Sequence, residues 1–326
     1  MRAVTFTEYG SPDVLEFKEV DIPDIKDNEV LIKIYATTVN RTDCGFRSAQ
    51  YFISRIITGI FKPKNPVAGS EFAGKVVEVG TDVRNYSIGD RVFGFEDVRS
   101  GAHAEYKAQD AEGSIAKIPD GFSYEEVAPA GEGATYAINY IRSAKITEGQ
   151  KVLVYGASGA IGSASVQLLK NIGAEVTAVC GTKNINKIKT LGADTIIDYQ
   201  KQDFTQINDR FDLVFDSVGK SYYGECKKLL KPAGKYCSSE LGPWLQNPLL
   251  ALWFAMTGSH RVIFPIPKIN NETMQYIAKL LKNGTYKPLV DRTYSLDKIV
   301  EATKYVETGQ KAGNVVIKLA VKQIAS

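Results

Sequence analysis

The sequence predicts an α/β protein: a doubly wound parallel sheet joined to a β-rich domain. Three observations predict it. The first hundred-odd residues carry short β-rich runs cut by Gly, Pro, Asn and Asp. After Pro119, strand-like runs alternate with helical ones. Within that second part, an apolar run at 152–155 ends in three glycines spaced by three, Gly156, Gly159 and Gly162, and a helical pattern follows.

Each element has its own justification. The runs at 3–7, 15–20, 30–39, 72–79 and 91–94 are rich in β-formers and suggest a compact, mostly antiparallel sheet. Residues 47–66, which include AQYFISRIITGIF, are apolar with aromatics and read either as a short helix or as a loop over a cleft. Strands are expected next at 152–155, 176–180, 195–197, 213–216 and 235–237, with helices between them, including 185–191 and 222–230. Such alternation implies parallel pairing. From about Asn270, residues 272–282 and 295–308 are helical by period, and 314–319 reads as a closing strand. The simplest organisation inserts the α/β domain late into the β-rich one. That gives segments 1–122, 123–266 and 267–326, the last returning to the first.

Size and composition bound the function. A chain of 326 residues is comfortable for two domains, and 44% hydrophobic with 24% charged residues is ordinary for a globular protein. A net charge of +3 is too weak to argue for nucleic acid. The lysine clusters at 183, 187 and 189, and at 227, 228, 231 and 235, read first as solvated faces. The opening MRAVTFTEYG alternates like a strand, so no secretory signal is expected. The most apolar stretch, 241–256, is broken by two prolines, an Asn and a Gln, which favours a pocket wall or subunit contact over a membrane anchor. Cys44, Cys180, Cys226 and Cys237 have no metal or redox spacing and suit a reducing cytoplasm.

A strand running into a glycine turn and then a helix sets a pyrophosphate on unpaired N–H groups at a helix N-terminus. The glycines supply a tight turn, close backbone approach and close helix–sheet packing. In this context the motif predicts a dinucleotide, held by Gly156, Ser158, Gly159, Ala160, Ile161 and Gly162. The end of the next strand discriminates between cofactors. An Asp or Glu there commonly accepts from a ribose 2′-hydroxyl. This chain instead has Cys180, Gly181, Thr182 and Lys183, with no acid between 179 and 184. A small residue and a hydroxyl leave room for a 2′-phosphate, and Lys183 supplies charge. Tyr199 is a second candidate for that pocket. The reading favours NADPH.

The order of these motifs is specific. GSEFAGKVVEVG (69–80), IGDRVFG (88–94), VLVYGASGAIG, CGTKN, LGAD (191–194), IDY (197–199) and FDLVFDSVG (211–219) resemble the medium-chain dehydrogenase/reductase superfamily. More closely, the chain is similar to its zinc-independent quinone oxidoreductase branch, which includes zeta-crystallin-like proteins. The resemblance implies a Rossmann domain for NADP plus a GroES-like catalytic domain. The alcohol dehydrogenases of this superfamily carry a catalytic zinc. Their ligand positions fall on Asn40, Ser70 and near Gly131, and the four-cysteine structural lobe is missing at 95–101. Only His103 and His260 exist, so no metal is expected.

The resemblance also implies hydride transfer from NADPH to a quinone or an α,β-unsaturated carbonyl, as in NADPH:quinone, enone or enoyl reductases. Asn40 and Asp43 are carried over as candidate catalytic residues. Their plainer readings are a turn Asn and a helix N-cap, since Asp43 precedes Cys44-Gly45-Phe46. Thr135, Ser217, Val218 and Gly219 are implied neighbours of the cofactor. Tyr51, in the apolar insert, is a conceivable proton donor for an enoyl substrate, or a pocket wall. Relatives often place a basic residue directly after a glycine near the C-terminus, but here Asn314 follows Gly313. A large apolar acceptor, a homodimer and a cytoplasmic location complete the expectation; membrane contact is not expected. The alternative is a cofactor-binding protein with a structural or membrane-surface role and vestigial turnover.

Overall fold

The structure, a computed structural model, describes residues 1–50, 55–56, 58–97, 99–259 and 261–319. It divides into two compact units. The first comprises Met1–Glu132, Ile269–Asn283 and the chain from Val290; the second comprises Gly133–Lys268 and Gly284–Leu289.

In the first unit, β1 (Arg2–Thr5) and β2 (Glu16–Glu19) form an antiparallel pair. The eleven-residue β3 (Glu29–Val39) is the spine of the main sheet and leads directly into helix α1 (Arg41–Ser48). Strands β4 (Glu71–Val79), β5 (Arg91–Phe95), β6 (Tyr106–Asp110) and β7 (Ile115–Lys117) follow, then the single turn α2 (Tyr124–Val127). β3 is long enough to pair with β4 and, over Glu29–Lys33, with β6.

The second unit begins within helix α3 (Gly131–Ala144). Its sheet is built from β8 (Lys151–Tyr155), helix α4 (Ala160–Ile172), β9 (Glu175–Cys180), helix α5 (Ile185–Thr190) and β10 (Thr195–Asp198). Then come β11 (Phe211–Asp216), helix α6 (Tyr223–Cys226), β12 (Leu230–Ser238), helix α7 (Gln246–Met256) and β13 (Val262–Ile263). All pairs are parallel, in the order β10-β9-β8-β11-β12-β13. The chain therefore reverses its direction across the sheet between β8 and β11, which is where ligands bind such sheets. Leu153, Val179, Val214 and Tyr236 are fully buried in its core.

The last segment carries helix α8 (Asn271–Lys282), β14 (Val290–Ser295), helix α9 (Ile299–Glu307) and β15 (Asn314–Lys318). β15 lies antiparallel to the end of β3, completing the order β14-β15-β3-β4-β5-β7. The α9 residues Ile299, Ala302 and Val306 join Ile32, Phe72, Val92 and Ile317 in the first unit's core. Residues 284–289 stay with the second unit because Lys287 exchanges two backbone hydrogen bonds with the Gln167 side chain.

The expected fold class holds, with local differences. The helix expected at 295–308 starts at Ile299, because Ser295 ends β14 and Leu296–Lys298 forms a 3-10 turn. β14 pairs parallel with β15, so the first unit is not wholly antiparallel. Part of the 241–256 stretch is the helix α7. Its Leu250, Ala251 and Phe254 meet the core, while Leu249, Leu252, Trp253 and Met256 are exposed. Lys231 and Lys235 of the lysine clusters are tied down by Asp212 Oδ2 and the Ala144 carbonyl, while Lys183, Lys187 and Lys189 are solvated. No helix among the described residues is long and apolar enough to cross a membrane.

Candidate active site and cofactor cradle

The candidate cofactor residues of the second unit gather at the C-terminal ends of β8, β9, β10 and β11. β8 ends at Tyr155 and turns at Gly156, whose φ of 81° lies in the left-handed region glycine alone adopts freely. A Cβ there would also stand 2.3 Å from Val218 Cγ1. Gly162 serves packing: its Cβ would stand 2.2 Å from the Gly156 carbonyl oxygen, so only glycine lets α4 sit this close to the turn. Gly159 meets nothing nearer than 3.4 Å, which leaves its backbone approachable. Gly159 is the N-cap of α4 and offers no side-chain cap, so the first N–H groups of the helix have no side-chain acceptor at the cap. Ser158 completes the turn, and Ala160 and Ile161 are the first residues of α4. In α3, the buried Thr135 hydroxyl has no hydrogen-bond partner among the described residues. Uncapped donors, a glycine cradle and an orphaned hydroxyl fit a dinucleotide.

A buried carboxylate organises the next loop. Asp216, at the end of β11, accepts from Val218 N (3.0 Å) and Gly219 N (2.8 Å) through Oδ1. Its Oδ2 accepts from Ser221 N (2.7 Å) and Ser221 Oγ (2.8 Å). Burial pushes the Asp216 carboxyl up, and these donors pull it back. The loop in turn braces the glycine turn, because Ser217 Oγ donates to the carbonyls of Tyr155 (2.8 Å) and Gly156 (3.2 Å).

At the end of β9, Cys180 is buried and Thr182 and Lys183 are exposed. Tyr199 lies beside this loop: its hydroxyl would be 3.2 Å from a Cβ on Gly181. One part of the sequence reading needs correction. An acid does stand at this strand end, supplied by the neighbouring strand: Asp198 of β10 pairs in register with Cys180, and Thr182 Oγ1 donates to its Oδ2 at 2.5 Å.

In the first unit, β3 delivers Thr38 and Asn40 to a buried polar cluster. Asn40 is the N-cap of α1, and Asp43 is the third helical residue of a capping box: Asp43 N donates to Asn40 Oδ1 (2.8 Å) and Asn40 N to Asp43 Oδ2 (3.1 Å). The cap is thus Asn40, not Asp43. Asn40 Nδ2 donates to Ser70 Oγ (2.9 Å) and lies 3.5 Å from Glu71 Oε2. Glu71 also accepts from Thr38 Oγ1 (2.6 Å) and Glu132 N (2.7 Å), and Glu132 accepts from Thr42 Oγ1 (2.5 Å). His103 Nε2 donates to the Thr38 carbonyl (2.6 Å), and burial lowers its pKa to about 4, so the ring is neutral. Burial raises Asp43 to about 7, against hydrogen bonds from Ser70 and Asn40. It also raises Glu71, helped by the Glu132 charge, and Glu132.

Glu71, Glu132 and Lys311 were not singled out in the sequence. Asn314 does follow Gly313, and a lysine, Lys311, stands two positions before that glycine. Lys311 Nζ donates to the Gly313 carbonyl (2.6 Å), and burial lowers its pKa while Glu132 opposes the shift. The signal available was a Lys in GQKAGN, but its burial is not readable from spacing. Tyr51 and His260 lie outside the described residues.

The three positions aligned with zinc ligands converge, and their chemistry does not fit the metal. Asn40 and Ser70 are hydrogen-bonded to each other, neither offering a thiolate or imidazole. At Gly131 a side chain has no room: its Cβ would stand 2.6 Å from Phe95 Cβ and 3.3 Å from Glu71 Oε1. No group of three or more His, Cys, Asp or Glu among the described residues is arranged to hold a metal ion.

Comparison with known proteins places this architecture. Residues 26–136 match the alcohol dehydrogenase GroES-like domain, and residues 191–317 match a domain described as zinc-binding dehydrogenase. The chain is 33% identical to a 2-methylene-furan-3-one reductase from Solanum lycopersicum, across 97% of this chain and 79% of the relative. The chain belongs to the medium-chain dehydrogenase/reductase superfamily, in its zinc-independent quinone oxidoreductase branch. This reductase is also 27% identical to a chloroplastic NADPH-dependent alkenal/one oxidoreductase from Arabidopsis thaliana, across 97% of its own length and 79% of the relative. Its fold matches that of a quinone oxidoreductase from Coxiella burnetii with a TM-score of 0.87 and 27% identity, covering 98% of this chain and 99% of the other. Like other members of the superfamily, it binds a nicotinamide cofactor.

Proposed function

We propose that this protein is an NADPH-dependent reductase that delivers hydride to a quinone or an α,β-unsaturated carbonyl, without zinc. The observation that carries the reading is the hydrogen-bonded Asn40–Ser70 pair beside Glu71, where a metal-dependent relative has its ligands. A neutral amide and hydroxyl polarise a simple ketone far less than a divalent cation does. The acceptor must therefore be electron-poor already, as a conjugated one is.

When bound, NADPH supplies the hydride. The chain's residues hold and orient it. Gly156, Ser158, Gly159, Ala160, Ile161 and Gly162 would take the pyrophosphate, Thr135 and Ser217–Gly219 would lie toward the nicotinamide half, and Cys180–Lys183 with Tyr199 would receive the 2′-phosphate. Asn40 and Asp43 are the proposed acceptor-side residues, and Tyr51 the proposed proton donor for an enone. A quinone needs no such donor, since its reduced anion takes a proton from water. Domain limits of 1–122, 123–266 and 267–326, a homodimer and a cytoplasmic location belong to the same proposal.

The test is steady-state NADPH oxidation over a panel of quinones, enones and simple ketones. Turnover with the first two classes is expected. Turnover confined to small polar ketones would overturn the reading, and tight cofactor binding with no turnover would favour a binding role instead.

A further inference from the structure

The loop after β9 offers two polar donors from Thr182, and both are already taken by the chain itself. Thr182 Oγ1 donates to Asp198 Oδ2 at 2.5 Å, and Thr182 N donates to Gln200 Oε1 at 3.1 Å. The pair of acceptors is held firmly. Gln200 N donates to Asp198 Oδ1 (3.1 Å), and Tyr199 N donates to the Cys180 carbonyl (3.2 Å), which keeps 198–200 against the β9 end. Gln200 Oε1 would be 3.3 Å from a Cβ on Gly181, so it crowds the turn itself. The Asp198 side chain is only 9% exposed, with Lys201 Nζ 3.9 Å away. The Thr182 hydroxyl holds its carboxyl below the usual range, so it is ionised at neutral pH.

A carboxylate and an amide oxygen converging on one hydroxyl and one N–H resemble, in charge and acceptor geometry, an anion seated on those donors. We propose that Asp198 and Gln200 form a built-in competitor for the cofactor's 2′-phosphate, and that Asp198 sets the preference between NADPH and NADH. A phosphate reaching Thr182 must displace an internal acceptor and then sit beside a like charge. NADH carries only a neutral 2′-hydroxyl at this position, so it brings no charge against Asp198 and has no need to displace it. The inference rests on the NADPH reading above.

The experiment measures Kd for NADPH, NADH and adenosine 2′,5′-bisphosphate with wild type and Asp198→Asn. The substitution keeps an oxygen for Gln200 N and so preserves the local turn. Binding of NADPH and of the bisphosphate should tighten about five- to tenfold on removing one like charge at contact range, with NADH unchanged. In a Thr182→Val background the gain should shrink, because the contested hydroxyl is gone. An unchanged or weakened NADPH Kd overturns the inference. So does weakened NADH binding alone, which would make Asp198 an acceptor for the ribose 2′-hydroxyl. A wild type that prefers NADH would overturn the cofactor reading separately.

Discussion

Asp216→Asn should loosen the cofactor turn from a distance. Asp216 is fully buried and accepts four hydrogen bonds, three from backbone N–H groups that cannot reverse direction. An asparagine has one oxygen. Placed at the Oδ1 position, that oxygen keeps Val218 and Gly219 satisfied, and the new NH2 donates to Ser221 Oγ but faces Ser221 N. The cheaper orientation thus leaves one buried N–H unsatisfied, costing about 1–3 kcal/mol, and weakens the remaining bonds from charged to neutral strength. Relief of carboxylate burial offsets part of this. The expected net loss is about 2–3 kcal/mol in urea unfolding, against about 1 kcal/mol for Ser221→Ala, which removes the hydroxyl's bond to Asp216 and its longer contact with the Tyr236 hydroxyl (3.3 Å) but leaves the backbone donors in place. Because Ser217 links this loop to the carbonyls of Tyr155 and Gly156, Kd should rise for NADPH and NADH alike, by about tenfold if 1.4 kcal/mol reaches the turn. A stability loss below about 0.5 kcal/mol, or a full loss with cofactor affinity unchanged, would refute the reasoning.

The buried acids of the first unit give a pH signature. Asp43 (raised to about 7), Glu71 and Glu132 all have folded pKa values above their unfolded ones, so the folded state binds more protons and stability falls as pH rises through those values. His103, lowered to about 4, slopes the other way only below about 6.5, and Lys107, lowered to about 8, only above that. Between pH 6.5 and 8 the unfolding free energy should therefore drop by about 1–3 kcal/mol, and Glu71→Gln should flatten the drop; a flat or rising wild-type profile contradicts this. Lys183→Ala should weaken NADPH and spare NADH, by about 1 kcal/mol because the side chain is exposed. Equal loss for both cofactors would mean that Lys183 does not read the phosphate.

Much of the second unit was legible because local rules coincide there. The runs at 152–155, 176–180 and 195–197 are β8, β9 and β10 to within a residue, since each apolar run is bounded by glycine or charge. β13 was missed because two residues make no pattern, and α3 because its Gly-rich start hides a helix. In the site, the roles of Gly156 and Gly162 follow from spacing alone. Asp198 did not, because an acid on one strand reaches the end of another only through parallel register. Glu71, Glu132 and Lys311 escaped notice for a related reason: charged residues read as surface until β3, β4 and the segment after α9 are known to meet.

The central claim is hydride reduction of a conjugated acceptor by a site in which Asn40, Ser70 and Gly131 stand where zinc ligands would. The most direct measurement pairs elemental analysis with turnover on one sample, following NADPH-dependent reduction of a quinone and an enone before and after exhaustive chelation. The account predicts zinc far below one atom per chain and an unchanged rate. One zinc per chain, whose removal abolishes turnover and whose return restores it, would contradict the account.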